Sequence, residues 1–279
     1  MSEISLLGAS EIRSLAESLD LKPTKSLGQN FVIDANVCKK IVRLAAVEPG
    51  DHVVEIGPGL GSLTLAIRQV AGKVTAIEID PRLANQLGDT AKKHGVESGL
   101  YVLNKDALEV TELSDSPNKL VANLPYNVSV PVFLQFLEQF PSIQSGVIMV
   151  QSEVAERLAA RPGSKIYGAP SAKAAWWCDV ELVDSVSRSI FWPIPNVDSS
   201  LLRFTRHEPI GDEALRRTTF DLVDRAFGQR RKMLRAALAA RFESSKAAEA
   251  VISKAGIDPT LRGESLSIEQ FATLARTLR

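Results

Sequence analysis

Four consecutive residues, Asn123-Leu124-Pro125-Tyr126, combine an amide, a proline-stiffened backbone and an aromatic ring. They follow Lys119-Leu120-Val121-Ala122, a buried-strand pattern, so we expect them at the carboxyl end of that strand. In open α/β sheets, ligands bind at this edge. The Asn123 amide oxygen and the Leu124 carbonyl can accept the two N–H donors of an exocyclic amine, and Tyr126 can stack on a flat base. These residues therefore indicate a site for an amino-bearing base, with a structural turn as the alternative.

A glycine-rich turn, Gly57 to Gly61, lies between a predicted strand and a predicted helix. Such a turn lets a ligand approach the backbone near a helix N-terminus. Glu78 ends the next predicted strand, where its carboxylate can accept both hydroxyls of a ribose. The Gly-x-Gly-x-Gly spacing differs from the dinucleotide-binding pattern, and no basic residue flanks it for a pyrophosphate. The glycines alone also fit a plain tight turn, but with Glu78 they predict an adenosine-type cofactor.

Polar groups near two other predicted strands extend this site. Asp106 follows the third strand, where its carboxylate can accept from the cofactor's adenine amine or cap a helix. Ahead of the first strand, Asn30 and the backbone of Val32 are available to a ligand, whereas Asp34 is expected to cap a helix through residue 46. A loop and a cap are the alternative for this segment.

A proline-rich loop, 191–199, precedes the last predicted strand and begins with Phe191. We expect the Phe191 ring to close over the base opposite Tyr126. The alternative is a core aromatic followed by two loop prolines.

Short β-rich runs alternate with helical patterns between residues 50 and 206, which predicts an α/β fold with a mainly parallel sheet covered on both faces. The short link between the last two strands indicates an antiparallel edge strand. The predicted strands are 52–56, 74–79, 101–103, 120–122, 146–150, a run within 177–186, and 200–204; the predicted helices between them are 34–46, 60–70, 81–93, 129–139 and 152–160.

After residue 207 only helical patterns follow, at 212–227, 229–242, 245–255 and 267–278. We therefore divide the chain into an α/β domain, 1–207, with an N-terminal extension, 1–49, and a small all-α domain, 208–279.

The net charge is zero, with 33 basic and 33 acidic residues, so the chain as a whole is not a strongly basic nucleic-acid protein. The stretch 225–241 nevertheless holds six basic residues and no acid, which favours a local polyanion site, although a solvated helix face also fits.

Cys38 and Cys178 stand alone and the histidines are scattered, so we expect no metal site and a reduced cytoplasmic protein. No apolar run is long enough to cross a membrane.

Together these motifs resemble the rRNA adenine N6-dimethyltransferase family, in its small-subunit (16S) branch. The resemblance extends from Leu27-Gly28-Gln29-Asn30-Phe31 to the closing 266–271 segment, and the basic Gln229-to-Leu234 segment points to that branch. Departures from the usual pattern occur at Ala236, Val130 and Pro170.

The resemblance implies a Rossmann-like fold, S-adenosyl-L-methionine as methyl donor, and dimethylation of N6 on two adjacent adenosines of small-subunit rRNA within an immature 30S particle. It also implies a monomer. Residues at matching positions are implied cofactor contacts: Asn30, Val32, Gly57, Glu78, Asp106 and Asn123. The helical domain is then RNA-binding, with Arg230, Arg231, Lys232 and Arg235 as its expected contacts.

Several other functions use some of the same motifs. A large-subunit rRNA adenine N6-methyltransferase of the macrolide-resistance type shares the cofactor motifs but not the C-terminal ones. A DNA or protein methyltransferase usually has Pro at the position of Leu124, and a nicotinamide-dependent oxidoreductase gives no reason for the tetrapeptide at 123–126. A non-catalytic assembly factor docking on the small subunit would also need the basic segments.

Overall fold

The computed structural model describes residues 3–21 and 30–279. The chain forms two compact units. The first comprises Met1–Ala155 with Glu181–Arg206, and the second comprises Glu156–Val180 with His207–Arg279. The C-terminal part of the second unit begins at His207, whereas the sequence led us to expect one continuous helical domain at 208–279. Residues 156–180 group with the C-terminal helices rather than with the α/β domain, because their contacts lie mainly within that second unit.

The first unit contains a seven-stranded sheet in the order β4-β3-β2-β5-β6-β9-β7. The strands of the structure are β1 Phe31–Val32, β2 His52–Ile56, β3 Lys73–Glu78, β4 Leu100–Asn104, β5 Lys119–Asn123, β6 Ser145–Gln151, β7 Cys178–Val186, β8 Phe191–Trp192 and β9 Ser199–Arg206. Strands β2 to β6 pair in parallel, and β9 runs antiparallel to β6. The predicted α/β sheet with an antiparallel strand near its edge is therefore confirmed. The two-residue pair β1–β8 forms a separate antiparallel ribbon that the sequence did not predict.

Helices alternate with these strands because each helix carries an apolar stripe that packs on the sheet. The helices are α1 Ala9–Ser18, α2 Ala35–Leu44, α3 Ser62–Arg68, α4 Pro81–Lys93, α5 Ser129–Gln139 and α6 Ser152–Leu158. Asp34 caps α2 as predicted, since its Oδ1 accepts from the backbone N–H of Asn36 at 2.8 Å. Asp80 caps α4 in the same way, through the N–H of Arg82. These caps fix where each helix begins beside the carboxyl end of a strand.

The second unit is helical apart from the first residues of β7. Its helices are α7 Ala169–Ala174, α8 Glu213–Gly228, α9 Leu234–Ala237, α10 Ser245–Lys254 and α11 Ile268–Arg276. The predicted helix over 229–242 is wrong: residues 229–233 form a turn, and α9 is a single turn of helix. Backbone N–H groups of Leu234 and Arg235 donate to the carbonyls of Leu261 and Pro259, so tertiary hydrogen bonds end the helical pattern there.

Within the described residues, no helix combines the length and the apolar composition that crossing a membrane requires.

Candidate active site

A cavity of about 250 Å³ opens at the carboxyl ends of β2, β3, β4 and β5, within the first unit. Parallel strands bring their carboxyl ends to one edge, so the polar residues that end them meet there. The cavity is lined by Asn30, Phe31, Ile56, Gly57, Gly59, Ile77, Glu78, Ile79, Leu83, Lys105, Asp106, Ala107, Asn123, Leu124, Pro125, Tyr126, Asn127, Val128 and Val132. Every motif expected at a strand end therefore contributes to one site.

Glu78 is tied to the glycine turn and to the start of α4. Its Oε2 accepts the backbone N–H of Gly59 at 3.1 Å, and its Oε1 accepts that of Asp80 at 3.0 Å. Burial raises the pKa of Glu78, and the two backbone N–H groups oppose that rise. Each carboxylate oxygen keeps further lone pairs for a ligand, so Glu78 can accept hydroxyl hydrogens without losing its structural bonds.

The glycine turn passes close to the segment that follows β5. Gly57 has a φ of +68°, and a Cβ at this position would lie 3.7 Å from the Asn123 carbonyl oxygen. A side chain here would be strained and would narrow the gap between the turn and the 123–126 segment. Gly59 also has a positive φ, and a Cβ there would lie 3.0 Å from the Phe31 ring. The turn therefore uses glycine to keep the cavity open.

Glu55, at the penultimate position of β2, is a second buried acid and is only 1% exposed. The Thr64 hydroxyl donates to its Oε2 at 2.6 Å. Burial raises the pKa of Glu55 to about 8, and the neighbouring charge of Glu78 adds to the rise. Burial therefore favours the neutral form of the Glu55 carboxyl group at neutral pH. Its burial was not predicted from the sequence.

Asp106 caps a short helix and also lines the cavity. Its Oδ1 accepts the backbone N–H of Leu108 at 2.9 Å and so caps the short 3₁₀ helix Ala107–Glu109. The same carboxylate lines the cavity, next to Ala107 and Ile79. Ile79 is 50% exposed although it is a large apolar residue. An apolar wall beside a carboxylate acceptor suits a flat base whose amine points at the acid.

Asn123 carries one of three buried side-chain polar atoms that have no hydrogen-bond partner among the described residues; the others are in His52 and Arg68. Its Oδ1 is buried from solvent and has no hydrogen-bond partner among the described residues. Buried polar atoms are rarely left unpaired, because an unmade hydrogen bond costs about 1–3 kcal/mol. The backbone on either side is fixed by sheet pairing with Met149, whose carbonyl accepts the Leu124 N–H at 3.0 Å. Asn123 is therefore a cavity-lining residue whose side-chain oxygen lacks a hydrogen-bond donor among the described residues.

Pro125 and Tyr126 complete the segment on the cavity wall. The Tyr126 hydroxyl lies 2.8 Å from the Ser199 hydroxyl, which anchors the far end of the ring. Burial raises the pKa of Tyr126, so the phenol stays neutral across the physiological range. The tetrapeptide thus combines an acceptor, a backbone carbonyl and an aromatic face, as the sequence indicated.

Two predicted site residues do not line the cavity. Val32 is buried in the core, and its carbonyl accepts the Ser62 hydroxyl at 2.7 Å, so that carbonyl already has a protein partner. Phe191 is 0% exposed and belongs to the apolar core of the first unit, because β8 pairs with β1 and turns the ring inward. The structure therefore places Phe191 in the core, which was its alternative, and gives the Val32 carbonyl a partner within the protein. Of the third motif, residues 27–29 lie outside the described residues.

The four residues expected to contact RNA all lie in the second unit, but they differ in whether they form ion pairs within the protein. Arg230 donates from Nε to Glu264 at 2.6 Å, and Arg235 donates from Nη1 to Glu249 at 2.8 Å. Arg231 and Lys232 are exposed on the 229–233 turn, and neither has an ion-pair partner in the part of the chain that the structure describes. These two side chains are therefore available to a polyanion, whereas the paired arginines also hold the unit together.

Sequence reasoning missed several apolar members of the site. Phe31, Ile79, Ala107 and Val132 line the cavity without carrying a polar group. The sequence did contain a signal for Ile79 and Ala107. Ile79 directly follows the acid that ends β3, and Ala107 directly follows the acid that caps a helix. Lys105 also lines the cavity and precedes Asp106, but its long side chain gave no positional signal.

The chain is similar to known proteins over almost its whole length. A sequence model of the family described as "Ribosomal RNA adenine dimethylase" matches residues 21–279. The chain is 56% identical over 279 residues to the Ribosomal RNA small subunit methyltransferase A of Leifsonia xyli, with 99% of each chain covered. It is 54% identical over 274 residues to the protein of the same name from Streptomyces griseus, covering 97% of this chain and 94% of that one.

Two crystal structures share the fold at moderate identity. A dimethyladenosine transferase from Plasmodium falciparum superposes with a TM-score of 0.75 at 25% identity, covering 86% of this chain and 94% of that one. The 23S rRNA methyltransferase ErmE gives a TM-score of 0.68 at 27% identity, covering 89% of this chain and 99% of that one. Because the family match spans the cavity-forming strands and the C-terminal helices alike, the chain belongs to the ribosomal RNA adenine dimethylase family.

Proposed function

We propose that the protein dimethylates N6 of two adjacent adenosines in small-subunit (16S) rRNA, with S-adenosyl-L-methionine as the methyl donor. The observation that carries this proposal is that Asn123, a residue that lines the cavity, has a buried Oδ1 without a hydrogen-bond partner among the described residues. An exocyclic amine offers the N–H that this atom lacks. The Leu124 carbonyl, one residue further on, is the candidate acceptor for the second N–H.

The described residues fit the donor. Glu78 offers carboxylate oxygens for ribose hydroxyls, Asp106 offers an acceptor for an adenine amine, and Ile79 supplies an apolar wall for the base. S-adenosylmethionine, when bound, supplies a methyl group on a positively charged sulfur. Two carboxylates on the cavity wall, those of Glu78 and Asp106, favour a cation there. Asn30 and Gly57 border the same cavity.

An adenine amine is a weak nucleophile because its lone pair is delocalised into the ring. Acceptors at Asn123 and Leu124 would bind its two hydrogens and favour a pyramidal nitrogen. In that geometry the lone pair is no longer delocalised into the ring and can act as a nucleophile. Tyr126 would stack on the base, a contact worth about 1–3 kcal/mol, and the packed walls would exclude water. Positioning of this kind supplies much of the rate in transfer reactions. The product ammonium is acidic enough to lose its proton to water, so the cavity needs no dedicated base.

Two alternatives to this proposal are methylation of the large-subunit rRNA and a non-catalytic role in subunit assembly. Large-subunit methylation is the nearest, since ErmE shares the fold, but its identity is 27% against 56% for a protein named as a small-subunit methyltransferase. The C-terminal basic turn also favours the small subunit. A purely structural assembly role gives no reason for an unpartnered acceptor at the end of β5.

The finer points of the proposal follow the branch that the sequence resembles. The protein acts as a monomer, in the cytoplasm, on rRNA within an immature 30S particle. Arg231 and Lys232 contribute to RNA binding through phosphate contacts, with Arg230 and Arg235 as partly structural neighbours. Sedimentation of the purified protein with and without undermethylated small subunits tests the monomer and the particle together.

The test of the reaction is incubation of the purified protein with labelled donor and undermethylated ribosomal subunits, followed by mapping of the modified bases. We expect label in N6-dimethyladenosine at two adjacent positions of small-subunit rRNA. Large ribosomal subunits, incubated in the same way, are the control acceptor. Label only in large subunits would replace the proposal by the macrolide-resistance type, and label in neither would remove the methyl-transfer proposal altogether.

A further inference from the structure

The ring of Tyr126 is held by a residue that lies outside the cavity. Its hydroxyl meets the Ser199 hydroxyl at 2.8 Å, although the two residues are 73 positions apart in the chain. Tyr126 lies on the turn between β5 and α5, outside regular structure. Ser199 is 0% exposed and is the first residue of β9. A fixed strand therefore holds the tip of a side chain that begins on a turn.

The position of Ser199 is secured from both sides. It pairs with Gln151 at the end of β6, in the antiparallel register. The Ser152 N–H donates to the Asp198 carbonyl at 3.1 Å, and the hydroxyls of Ser152 and Ser200 lie 2.9 Å apart. These bonds lock the start of β9 to the end of β6. The Ser199 hydroxyl is consequently a rigid reference point beside the cavity.

The stacking surface of the cavity depends on Tyr126 more than the sequence suggested. Among the described lining residues the aromatic ones are Phe31 and Tyr126. Phe31 is buried, and its ring stacks on Trp192 with 6.4 Å between the ring centroids. Phe191 lies in the core. Tyr126 is therefore the aromatic face that shares a segment with the Asn123 acceptor, and the angle of its ring sets where a stacked base would lie.

We propose that Ser199 is a positioning residue for methyl transfer: its hydroxyl fixes the angle of the Tyr126 ring, so that a stacked adenine presents its amine to the Asn123 oxygen. This inference rests on the proposed function and adds a residue to it. Ser199 does not touch the substrate and acts only through Tyr126. Losing the bond frees the ring to turn about its side-chain torsions, which misaligns the amine without removing the stacking surface.

The test compares Ser199→Ala, Tyr126→Phe and the double variant of the full-length protein, with undermethylated small subunits as acceptor. Each single change removes the same hydrogen bond from one end. We expect kcat to fall about tenfold in each single variant, with the KM for subunits within about threefold and the donor Kd unchanged by calorimetry. The double variant should have the kcat of the single variants, because the shared bond can be lost only once. Multiplying losses, or an unchanged kcat in Tyr126→Phe, would overturn the inference.

Two controls separate positioning from folding and from the proposed function. Ser199→Thr keeps a hydroxyl and should recover kcat relative to Ser199→Ala, provided that its thermal midpoint shows that the extra methyl is accommodated. Tyr126→Phe leaves β9 intact and decides the question alone if Ser199 variants do not fold. If the unaltered protein methylates no adenosine, the proposed function fails. If it methylates adenosine and Tyr126→Phe does so equally fast, only the role of Ser199 fails.

Discussion

Glu78 Oε2 accepts the backbone N–H of Gly59 at 3.1 Å, so the acid at the end of β3 fixes the glycine turn that follows β2. The other carboxylate oxygen accepts the N–H of Asp80 at 3.0 Å. One side chain therefore joins two backbone segments while it also lines the cavity. This dual use explains why a buried carboxylate is retained there, although burial raises its pKa and opposes its charge.

Glu78→Gln should weaken donor binding. An amide has one acceptor oxygen, so one of the two backbone N–H groups loses its partner while the ribose hydroxyls lose a charged acceptor. Hydrogen bonds to charged groups contribute about 1.5–3 kcal/mol, which corresponds to a roughly 10- to 100-fold increase in Kd. Calorimetric titration with S-adenosylmethionine measures this, with Glu97→Gln on the exposed surface as control. An unchanged Kd would remove Glu78 from the donor site.

Asn123→Ala should abolish most turnover and leave donor binding largely intact. The variant removes the oriented acceptor for the substrate amine, and loss of one oriented group of this kind costs about 100- to 1,000-fold in kcat. Single-turnover methylation of small subunits measures the loss, and calorimetry measures donor affinity. Asn85→Ala, on the exposed face of α4, is the matched control. Near-normal methylation by Asn123→Ala would disprove the proposed role.

Glu55→Gln should stabilise the protein at neutral and alkaline pH. The pKa of Glu55 is about 8 in the folded protein and 4.5 ordinarily, so folding takes up a proton. The contribution of Glu55 to the free energy of unfolding is therefore most favourable below pH 4.5. It becomes steadily less favourable as the pH rises toward 8. A neutral amide avoids the loss, which amounts to a few kcal/mol, on the order of 1.4 per pH unit.

Urea unfolding of wild type and Glu55→Gln between pH 5 and pH 9 measures this difference. The gap between the two midpoints should widen with pH up to about pH 8 and then stay constant. Glu97→Gln should follow the wild-type curve. A gap that is the same at every pH would show that Glu55 is ionised in the folded protein.

Arg231→Glu with Lys232→Glu should weaken binding to small subunits in a salt-dependent way. Both side chains are exposed on the 229–233 turn, and the structure gives them no ion-pair partner among the residues it describes. Each lost phosphate contact should lower the slope of log Kd against log salt by about 1. Lys246→Glu with Lys254→Glu on α10 makes the same change in net charge elsewhere in the unit. Equal slopes for the two double variants would make the turn a solvated surface.

Phe191→Leu should act through stability rather than through base stacking. The ring is 0% exposed in the core of the first unit, so a smaller side chain leaves a void and costs roughly 1–2 kcal/mol of unfolding free energy. Below the unfolding temperature, kcat and the KM for subunits should stay near wild type. A large rise in KM with an unchanged thermal midpoint would instead support the stacking role predicted from the sequence.

The sequence was informative wherever a residue's chemistry is tied to the end of a strand. Gly57, Glu78, Asp106 and Asn123 each follow a run whose pattern predicts a buried parallel strand, and all parallel strands end at one edge. Their meeting in one cavity was therefore predictable. The N-cap at Asp34 was predictable for a similar local reason, since a cap needs only its own first turn.

Residues whose role depends on burial or on distant partners were not predictable in this way. The motif containing Phe191 is compatible with a ring over a base or with a ring in the core, and only the pairing of β8 with β1 turns the ring inward. The helical pattern over 229–242 was overruled by hydrogen bonds to the carbonyls of Pro259 and Leu261. Both cases show tertiary contacts deciding between local structures of similar energy.

The sequence by itself determined the α/β order, the chemistry gathered at the sheet edge and the class of molecule that this chemistry recognises, because these follow from local pattern and residue type. The tertiary structure alone decided that burial raises the pKa of Glu55, that Asn123 Oδ1 has no donor among the described residues and that the Ser199 hydroxyl reaches Tyr126. Desolvation, missing partners and contacts between distant segments are properties of packing in three dimensions, and no window of the sequence contains them.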